Sequence, residues 1–131
     1  MRQVIIHKFS RVALSASVLI GSVLANPAFA VTKVTVPSNY IYNPRLGSLH
    51  DYCTSSPDEF PNPVGTNADF RGPCARHDLC YGSRTDKKVC DVNLLRDMRT
   101  NCEYYYGRFN PVRQACYRTA SIYFVAVVAA S

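Results

Sequence analysis

The segment between positions 73 and 82 combines a titratable base, a carboxylate, a phenol and a cysteine at helical spacing. Cys74, His77, Asp78 and Tyr81 stand at relative positions 0, 3, 4 and 7, which places them on one face of a helix. Burying such a face costs free energy unless each polar group has a partner. The pattern therefore predicts a buried polar site on this helix, with His77 as a base and Asp78 as an anionic ligand.

A second carboxylate is predicted to point inward from the next helix. Asp91 shares its helical face with four residues of the core-forming type: Leu94, Leu95, Met98 and Cys102. A half-buried carboxylate needs a donor, and the imidazole of His77 on the facing helix can supply one. Asp97 lies off this face, so we expect it to be mostly at the surface.

A histidine oriented by a buried aspartate is the base half of a hydrolytic triad. The chain has no Gly-x-Ser-x-Gly motif to supply a nucleophilic serine, and the cysteines are expected to be used in disulfides. Water activated directly by His77 is the economical alternative. Tyr81 is predicted to support the Asp91 or His77 network by hydrogen bonding. An adjacent His-Asp pair alone is common by chance, so the hypothesis depends on Asp91 as well.

Asp78 is predicted to hold a cation beside this base. Its carboxylate points about 100° away from His77 around the helix, so it cannot easily orient the ring. Segment 49–53 offers a second carboxylate, Asp51, together with backbone carbonyls. A bridge between Cys53 and Cys74 would hold that segment against the helix. Oxygen ligands of this kind suit Ca²⁺ outside the cell, although Asp51 without the bridge could be only a helix cap or turn residue.

Three helices are predicted to position these groups, which makes the fold class all-α. The first runs from Pro73 to about Tyr81 with Gly82 as its stop, and the second from Val89 to Tyr106. The third runs from Val112 to about Ala129, after Asn110 and Pro111. Residues 45–72 are rich in turn formers and predict a loop. Residues 31–44 could be a short strand, a short helix or an arm. The expected architecture is a small disulfide-stapled domain with two antiparallel catalytic helices and, in addition, a C-terminal helix.

The first thirty residues are typical of a secretory signal peptide. A basic start precedes the uncharged apolar stretch 12–24, and Ala28-Phe29-Ala30 has the spacing of a cleavage site. A transmembrane anchor is less favoured because a spanning helix needs about 20 apolar residues. Segment 122–130 is also too short to span and is expected to pack against the other helices. The pattern predicts a secreted domain over residues 31–131 and no transmembrane segment.

Charge and cysteine content narrow the function further. The signal segment holds three basic residues and no acids, so the mature part keeps 12 Lys and Arg against 9 Asp and Glu, a net charge of +3. This charge is too mild to indicate nucleic acid as a partner, but it is compatible with an anionic surface. All six cysteines lie in the mature part, which favours disulfides in an exported chain. A zinc site is disfavoured because there is no Cys-x-x-Cys pair and only His50 and His77 remain.

The motif Cys74-Ala-Arg-His-Asp-Leu-Cys-Tyr81 resembles the active-site helix of secreted phospholipases A2. It is most similar to the small bacterial and fungal branch, whose helix typically reads Cys-x-Arg-His-Asp-Phe-Gly-Tyr. Asp51-Tyr52-Cys53 matches the calcium segment of that branch, and Asp91, followed by Asp97-Met98 and Cys102, matches its second long helix. The resemblance covers roughly residues 49–128.

The resemblance implies calcium-dependent hydrolysis of the sn-2 ester of phosphoglycerides at a membrane or micelle surface. His77 would be the base and Asp91 its partner, while Asp78, Asp51 and the Tyr52 carbonyl would bind Ca²⁺. The predicted disulfides, one pairing of fifteen possible, are Cys53–Cys74, Cys80–Cys90 and Cys102–Cys116. The protein is expected to be a monomer.

Two departures from the family pattern bear on this prediction. Cys80 and Cys90 stand where the bacterial and fungal branch typically lacks a pair. The paired cysteines and glycine-rich calcium loop of the animal and venom branch are absent. Two other functions stay open: a non-enzymatic secreted toxin or effector that binds membranes or a receptor, and a secreted hydrolase of another ester class.

Overall fold

The computed structural model of the protein describes residues 30–130, in which helices dominate. We number them α1 (Arg71–Gly82), α2 (Lys87–Tyr105) and α3 (Val112–Ala129). The all-α prediction is confirmed at this level, whereas the catalytic role of two of these helices stays a prediction. The predicted signal peptide covers residues 1–30, of which residues 1–29 lie outside the described part.

Segment 45–72, predicted as a loop, contains two short strands as well as turns. Strand β1 (Glu59–Phe60) pairs antiparallel with strand β2 (Ala68–Asp69), with Phe60 opposite Ala68. Both of these apolar residues are buried. Strands of two residues are too short to show the alternating pattern by which strands are identified, so the composition indicated only turns. A single 3-10 turn also forms at Pro44–Leu46.

Helices α1 and α2 each begin two residues before the predicted start, and only α2 has a side-chain cap, whereas α3 begins at the predicted residue. Helix α1 begins at Arg71, whose N–H donates to the Asp69 carboxylate over 2.9 Å. Helix α2 begins at Lys87 because the side chain of Asp86 caps it, accepting from the Lys88 N–H. The prediction of Gly82 as the stop of α1 was wrong. Gly82 is helical, and Arg84 takes the left-handed conformation, with φ 58.

Helices α1 and α2 run antiparallel, as predicted. The disulfide Cys80–Cys90 joins the end of α1 to the start of α2. At the opposite end, the Asn101 amide near the end of α2 donates to the Asp69 carbonyl just before α1, over 2.7 Å. Contacts at both ends hold the facing surfaces in register, which positions His77 opposite the first turns of α2.

Helix α3 also runs antiparallel to α2. Cys116 in its first turns is joined to Cys102 in the last turn of α2. Tyr123 and Val127 pack against the core, while Ile122 and Val125 are exposed. The expected packing of segment 122–130 therefore holds for one face of the helix. No helix within residues 30–130 has the length and apolar character needed to cross a bilayer.

The hydrophobic core is small and lies where the three helices and the strand pair meet. The core also contains the cysteines of two disulfides, Cys53–Cys74 and Cys102–Cys116. Its larger members are Phe60, Phe70, Leu94, Met98 and Tyr106. A thin core of this kind is typical of small exported domains, in which disulfides add stability.

Residues 31–43 form an arm that is extended apart from one turn, which decides among the three alternatives left by the sequence. Asn101, which is fully buried, accepts from the Val34 N–H over 2.8 Å and donates to the Val34 carbonyl over 3.0 Å. The arm passes so close to α1 that a Cβ on Gly72 would lie 2.2 Å from the Val34 carbonyl oxygen. Only glycine fits there without displacing the backbone.

We predict that Asp69 stabilises this arm in a pH-dependent manner. Its carboxylate pairs with Lys33 at 3.1 Å and with Arg71 at 2.9 Å. Burial acts to raise the pKa of Asp69, but the hydrogen bonds from Arg71 and Lys33 outweigh burial and lower the pKa to about 2 from an ordinary value of 3.8. A lowered carboxyl pKa adds stability above the unfolded value, and this stability is lost as pH falls through the folded value.

The Asp69→Asn variant should therefore lose about 1 to 2 kcal/mol of unfolding free energy at pH 5, allowing for screening at the half-exposed Arg71. The difference from the parent protein should shrink between pH 4 and pH 2. Urea unfolding curves at several pH values measure it. A difference that stayed constant down to pH 2 would contradict the assignment.

Candidate active site

His77 and Asp91 meet between α1 and α2. The His77 Nε2 atom is 2.8 Å from Asp91 Oδ1, and the two residues are 8% and 2% exposed. This is the contact expected from the helical spacing, while the catalytic roles of the two residues stay predictions. No described residue forms a hydrogen bond with Nδ1 of His77, and the ring borders a cavity. Nδ1 is therefore the ring nitrogen that can accept a proton from a water molecule.

The Asp91 carboxylate receives three donors. Besides His77, the Tyr81 hydroxyl donates to Oδ1, in the supporting role predicted for it, and the Lys87 ammonium donates to Oδ2 over 2.7 Å. Burial acts to raise the pKa of Asp91, but the hydrogen bonds from Lys87, Tyr81 and His77 outweigh it and lower the pKa overall. Asp91 is thus held as a carboxylate, which can fix the orientation of the imidazole.

The cavity beside His77 has a volume of about 420 Å³ and mainly apolar walls. Side chains from α1, from the loop 48–56 and from α2 and α3 line it. Its apolar part consists of Leu49, Leu94, Tyr123, Ala126, Val127 and Ala130. His77 and Asp78 therefore both line a mainly apolar space large enough for part of a hydrophobic substrate.

Asp78 is a buried carboxylate of a different kind. The Tyr40 hydroxyl donates to its Oδ2 atom over 2.5 Å, and Asp78 makes no ion pair with any lysine, arginine or histidine of residues 30–130. Burial raises its pKa to about 7; the Tyr40 hydrogen bond acts in the opposite direction, and the nearby charge of Asp51 raises the pKa further. A buried carboxylate that forms no ion pair with a described residue suits a bound cation.

The structure brings the loop of Asp51 and Tyr52 next to Asp78, as the sequence predicted, but directs the two aspartates differently. Asp51 Oδ1 accepts from the Thr54 hydroxyl over 2.6 Å, within its own turn, and Asp51 does not line the cavity. Tyr52 has a left-handed backbone, with φ 56, and its N–H donates to the Tyr40 hydroxyl over 3.0 Å. Within residues 30–130 no three His, Cys, Asp or Glu side chains form a metal-binding cluster.

The three predicted disulfides are confirmed: Cys53–Cys74, Cys80–Cys90 and Cys102–Cys116. The first links the loop of Asp51 to the helix of His77 and Asp78. The second lies at the junction of α1 and α2, one residue before Asp91 in sequence. Two disulfides therefore restrain the distance between the elements that carry the candidate site.

The expectation that Asp97 lies mostly at the surface was wrong. Asp97 is only 4% exposed and pairs with Arg76 of α1 at 3.2 Å. Burial raises the pKa of its carboxyl, although Arg76 and Arg96 act to lower it. The helical wheel missed this because α1 covers a wider face of α2 than the apolar residues alone mark.

Two residues of the site were missed in the sequence. Lys87 precedes Asp91 by four positions on α2, so the pair would have been visible had Asp86 been identified as the cap that starts the helix there. Tyr40 lies in the arm, far from Asp78 in sequence, and no local pattern relates the two residues. Only the fold shows their contact.

Comparison with known proteins identifies no relatives: no protein-family model matches the chain, and neither a curated protein nor a solved structure shows significant similarity to it.

We predict that the Tyr40 hydroxyl stabilises the loop and Asp78 together. The Tyr40→Phe variant should lose about 1 to 2 kcal/mol of unfolding free energy at pH 8, because a hydrogen bond to a charged group and one to the Tyr52 N–H are both removed. Urea unfolding measures the loss. Tyr42→Phe is the matched control, since Tyr42 also stacks on Tyr52 but its hydroxyl has no hydrogen bond within the described chain. Equal unfolding midpoints for the two variants would contradict the prediction.

Proposed function

We propose that the protein is a secreted, calcium-dependent phospholipase A2, which hydrolyses the sn-2 acyl ester of phosphoglycerides. The observation that carries this proposal is the His77–Asp91 contact at 2.8 Å. This contact leaves Nδ1 of His77 without a hydrogen bond to a described residue, and His77 and Asp78 both line an apolar cavity. The ester chemistry is supported by this geometry, and the phosphoglyceride substrate by the resemblance of the Cys74–Tyr81 motif. Three disulfides are in keeping with export.

In the proposed reaction, His77 acts on water. Nδ1 takes one proton as the water oxygen bonds to the carbonyl carbon of the ester, which forms a tetrahedral intermediate. The carbon–oxygen bond to the glycerol then breaks, and the imidazolium returns the proton to the departing alkoxide. The products are a fatty acid and a lysophospholipid. Asp91 holds the ring and stabilises its positive charge through Nε2.

The residues around Asp78 fit a hard cation. Their donors are oxygens, and the buried Asp78 carboxylate forms no ion pair with a described residue. Asp78, the Tyr52 carbonyl and Asp51 would hold Ca²⁺, with Asp51 the weakest because Thr54 already engages it. When bound, Ca²⁺ would supply Lewis-acid polarisation of the ester carbonyl.

The cavity suits one acyl chain of a lipid. The apolar side chains of Leu94 and Val127 and the small side chains of Ala126 and Ala130 border the space next to His77. An aliphatic chain bound there would leave water for an apolar surface, at about 25 cal/mol per Å² buried. A monomer acting at the surface of a lipid aggregate is the simplest form of this proposal.

One prediction from this proposal concerns the His77–Asp91 pair, which we call the dyad. The mature protein should release fatty acid from the sn-2 position of defined phosphoglycerides, and His77→Ala should reduce kcat by about 10² to 10⁴-fold, the usual contribution of general base catalysis. Asp91→Asn should also lose activity because the ring loses its anionic partner. Asp86→Asn is the matched control, since asparagine retains the capping of α2.

Positional analysis of the released fatty acid and lysophospholipid decides among the alternatives. A secreted hydrolase of another class would cleave a different ester with the same dependence on His77. A non-enzymatic toxin or effector would leave all the substrates intact. Near-native turnover by His77→Ala would exclude the proposed mechanism.

A further prediction from this proposal concerns the metal. Activity should disappear in excess chelator and return with Ca²⁺ at about 10⁻⁴ to 10⁻³ M, as expected for a site with few protein ligands. Mg²⁺ should substitute poorly because it requires tighter octahedral geometry. Calorimetric titration should show weaker Ca²⁺ binding for Asp78→Asn than for Asp51→Asn, since Asp51 is already bound to Thr54. Full activity in chelator would exclude a metal at Asp78.

A further inference from the structure

Lys87 links three parts of the molecule at the candidate site. Its Nζ atom lies 2.7 Å from Asp91 Oδ2 and 2.7 Å from the Val127 carbonyl oxygen. It also lies 5.9 Å from the centre of the Tyr81 ring. Lys87 is the first residue of α2, whereas Val127 belongs to the last turns of α3. One ammonium group thus connects the dyad to the helix that lines the cavity.

The two oxygens of the Asp91 carboxylate are divided among their donors. Oδ1 accepts from His77 and Tyr81, and Oδ2 accepts from Lys87. The side chain of Asp91 is only 3% exposed, so without Lys87 its Oδ2 atom would have no donor among the described residues. A buried carboxylate oxygen without a donor is costly, and the carboxylate would rotate to recover one. Rotation would draw Oδ1 away from His77.

The contact with Val127 acts on the wall of the cavity that α3 forms. The last carbonyls of a helix lack full intrahelical partners and carry partial negative charge, so they favour a cation. Val127 lines the cavity next to His77. By binding this carbonyl, Lys87 keeps the end of α3 beside the dyad.

We propose that Lys87 is a positioning residue, which holds the Asp91 carboxylate against His77 and fixes the α3 wall of the substrate cavity. This inference rests on the proposed function of the site. Lys87 is not among the residues that line the cavity. It acts through Asp91 on the orientation of the base and through Val127 on the shape of the cavity.

Three variants test the inference in the full mature protein. Lys87→Met removes the ammonium group and keeps an unbranched side chain, while Lys87→Arg retains a donor. Lys88→Met is the matched control, because Lys88 is exposed, carries the same charge and has no side-chain hydrogen bond or ion pair among residues 30–130. Phospholipid hydrolysis should show a kcat reduced on the order of 10-fold to 100-fold for Lys87→Met, as expected for a misplaced base. Its KM should rise as well, because the α3 wall is released. Lys87→Arg should recover part of the lost kcat, and Lys88→Met should match the parent protein.

A spectroscopic measurement separates this inference from the proposed function. The proton between His77 Nε2 and Asp91 should give a downfield NMR resonance in the parent protein and in Lys88→Met. It should shift or broaden in Lys87→Met at temperatures where both variants are fully folded. This result would support positioning by Lys87 even if phospholipid is not hydrolysed, which would count against the proposed function alone. An unchanged resonance, or an unchanged kcat in Lys87→Met when the parent protein is active, would overturn the inference.

Discussion

The burial of the Asp91 carboxylate is the constraint on which the candidate site depends. A carboxylate 2% exposed between two helices is tolerated only if its oxygens are satisfied, because the free energy of burying an unpaired charge is large. Its donors come from α1, through His77 and Tyr81, and from the first residue of α2, through Lys87. The interhelical contact is therefore possible only in one register. Sliding α1 against α2 by one turn would leave the carboxylate without most of its donors.

The disulfides and the arm maintain this register in a molecule whose core is too small to do so alone. Cys80–Cys90 restrains one end of the α1–α2 pair, and Asn101 restrains the other by binding both the arm and the chain before α1. The arm in turn delivers the Tyr40 hydroxyl to Asp78 and to the Tyr52 N–H. The loop is held from two sides, by this hydroxyl and by Cys53–Cys74. The candidate site is thus assembled from separate segments that are each fixed elsewhere.

The parts of the fold that the sequence predicted are those with a strong local pattern. Start and stop residues such as Pro73 and Pro111 predicted the helices. The helical faces of His77 and of Asp91 then predicted the contact between them, because a period of 3.6 residues leaves little freedom in which side chains share a face. The capping of α2 by Asp86 was also a local signal, and missing it concealed Lys87. Tyr40 and the burial of Asp97 could not be predicted in this way. Both depend on which distant segments of the chain pack against each other, and no local sequence pattern specifies that packing.

The two buried aspartates of the candidate site, Asp91 and Asp78, differ in a manner that assigns them separate roles under the proposed mechanism. Three donors lower the pKa of Asp91, so it stays charged and serves as the fixed partner of His77. Asp78 is buried with one neutral donor from a side chain, and burial raises its pKa to about 7. Carboxyl groups of one site whose pKa values are moved in opposite directions are typical of functional sites. A cation at Asp78 would replace the missing positive partner, whereas at Asp91 the ammonium of Lys87 already occupies that position. Under the proposed mechanism, the same helix pair would therefore hold a permanent ion pair at Asp91 and bind an exchangeable cation at Asp78.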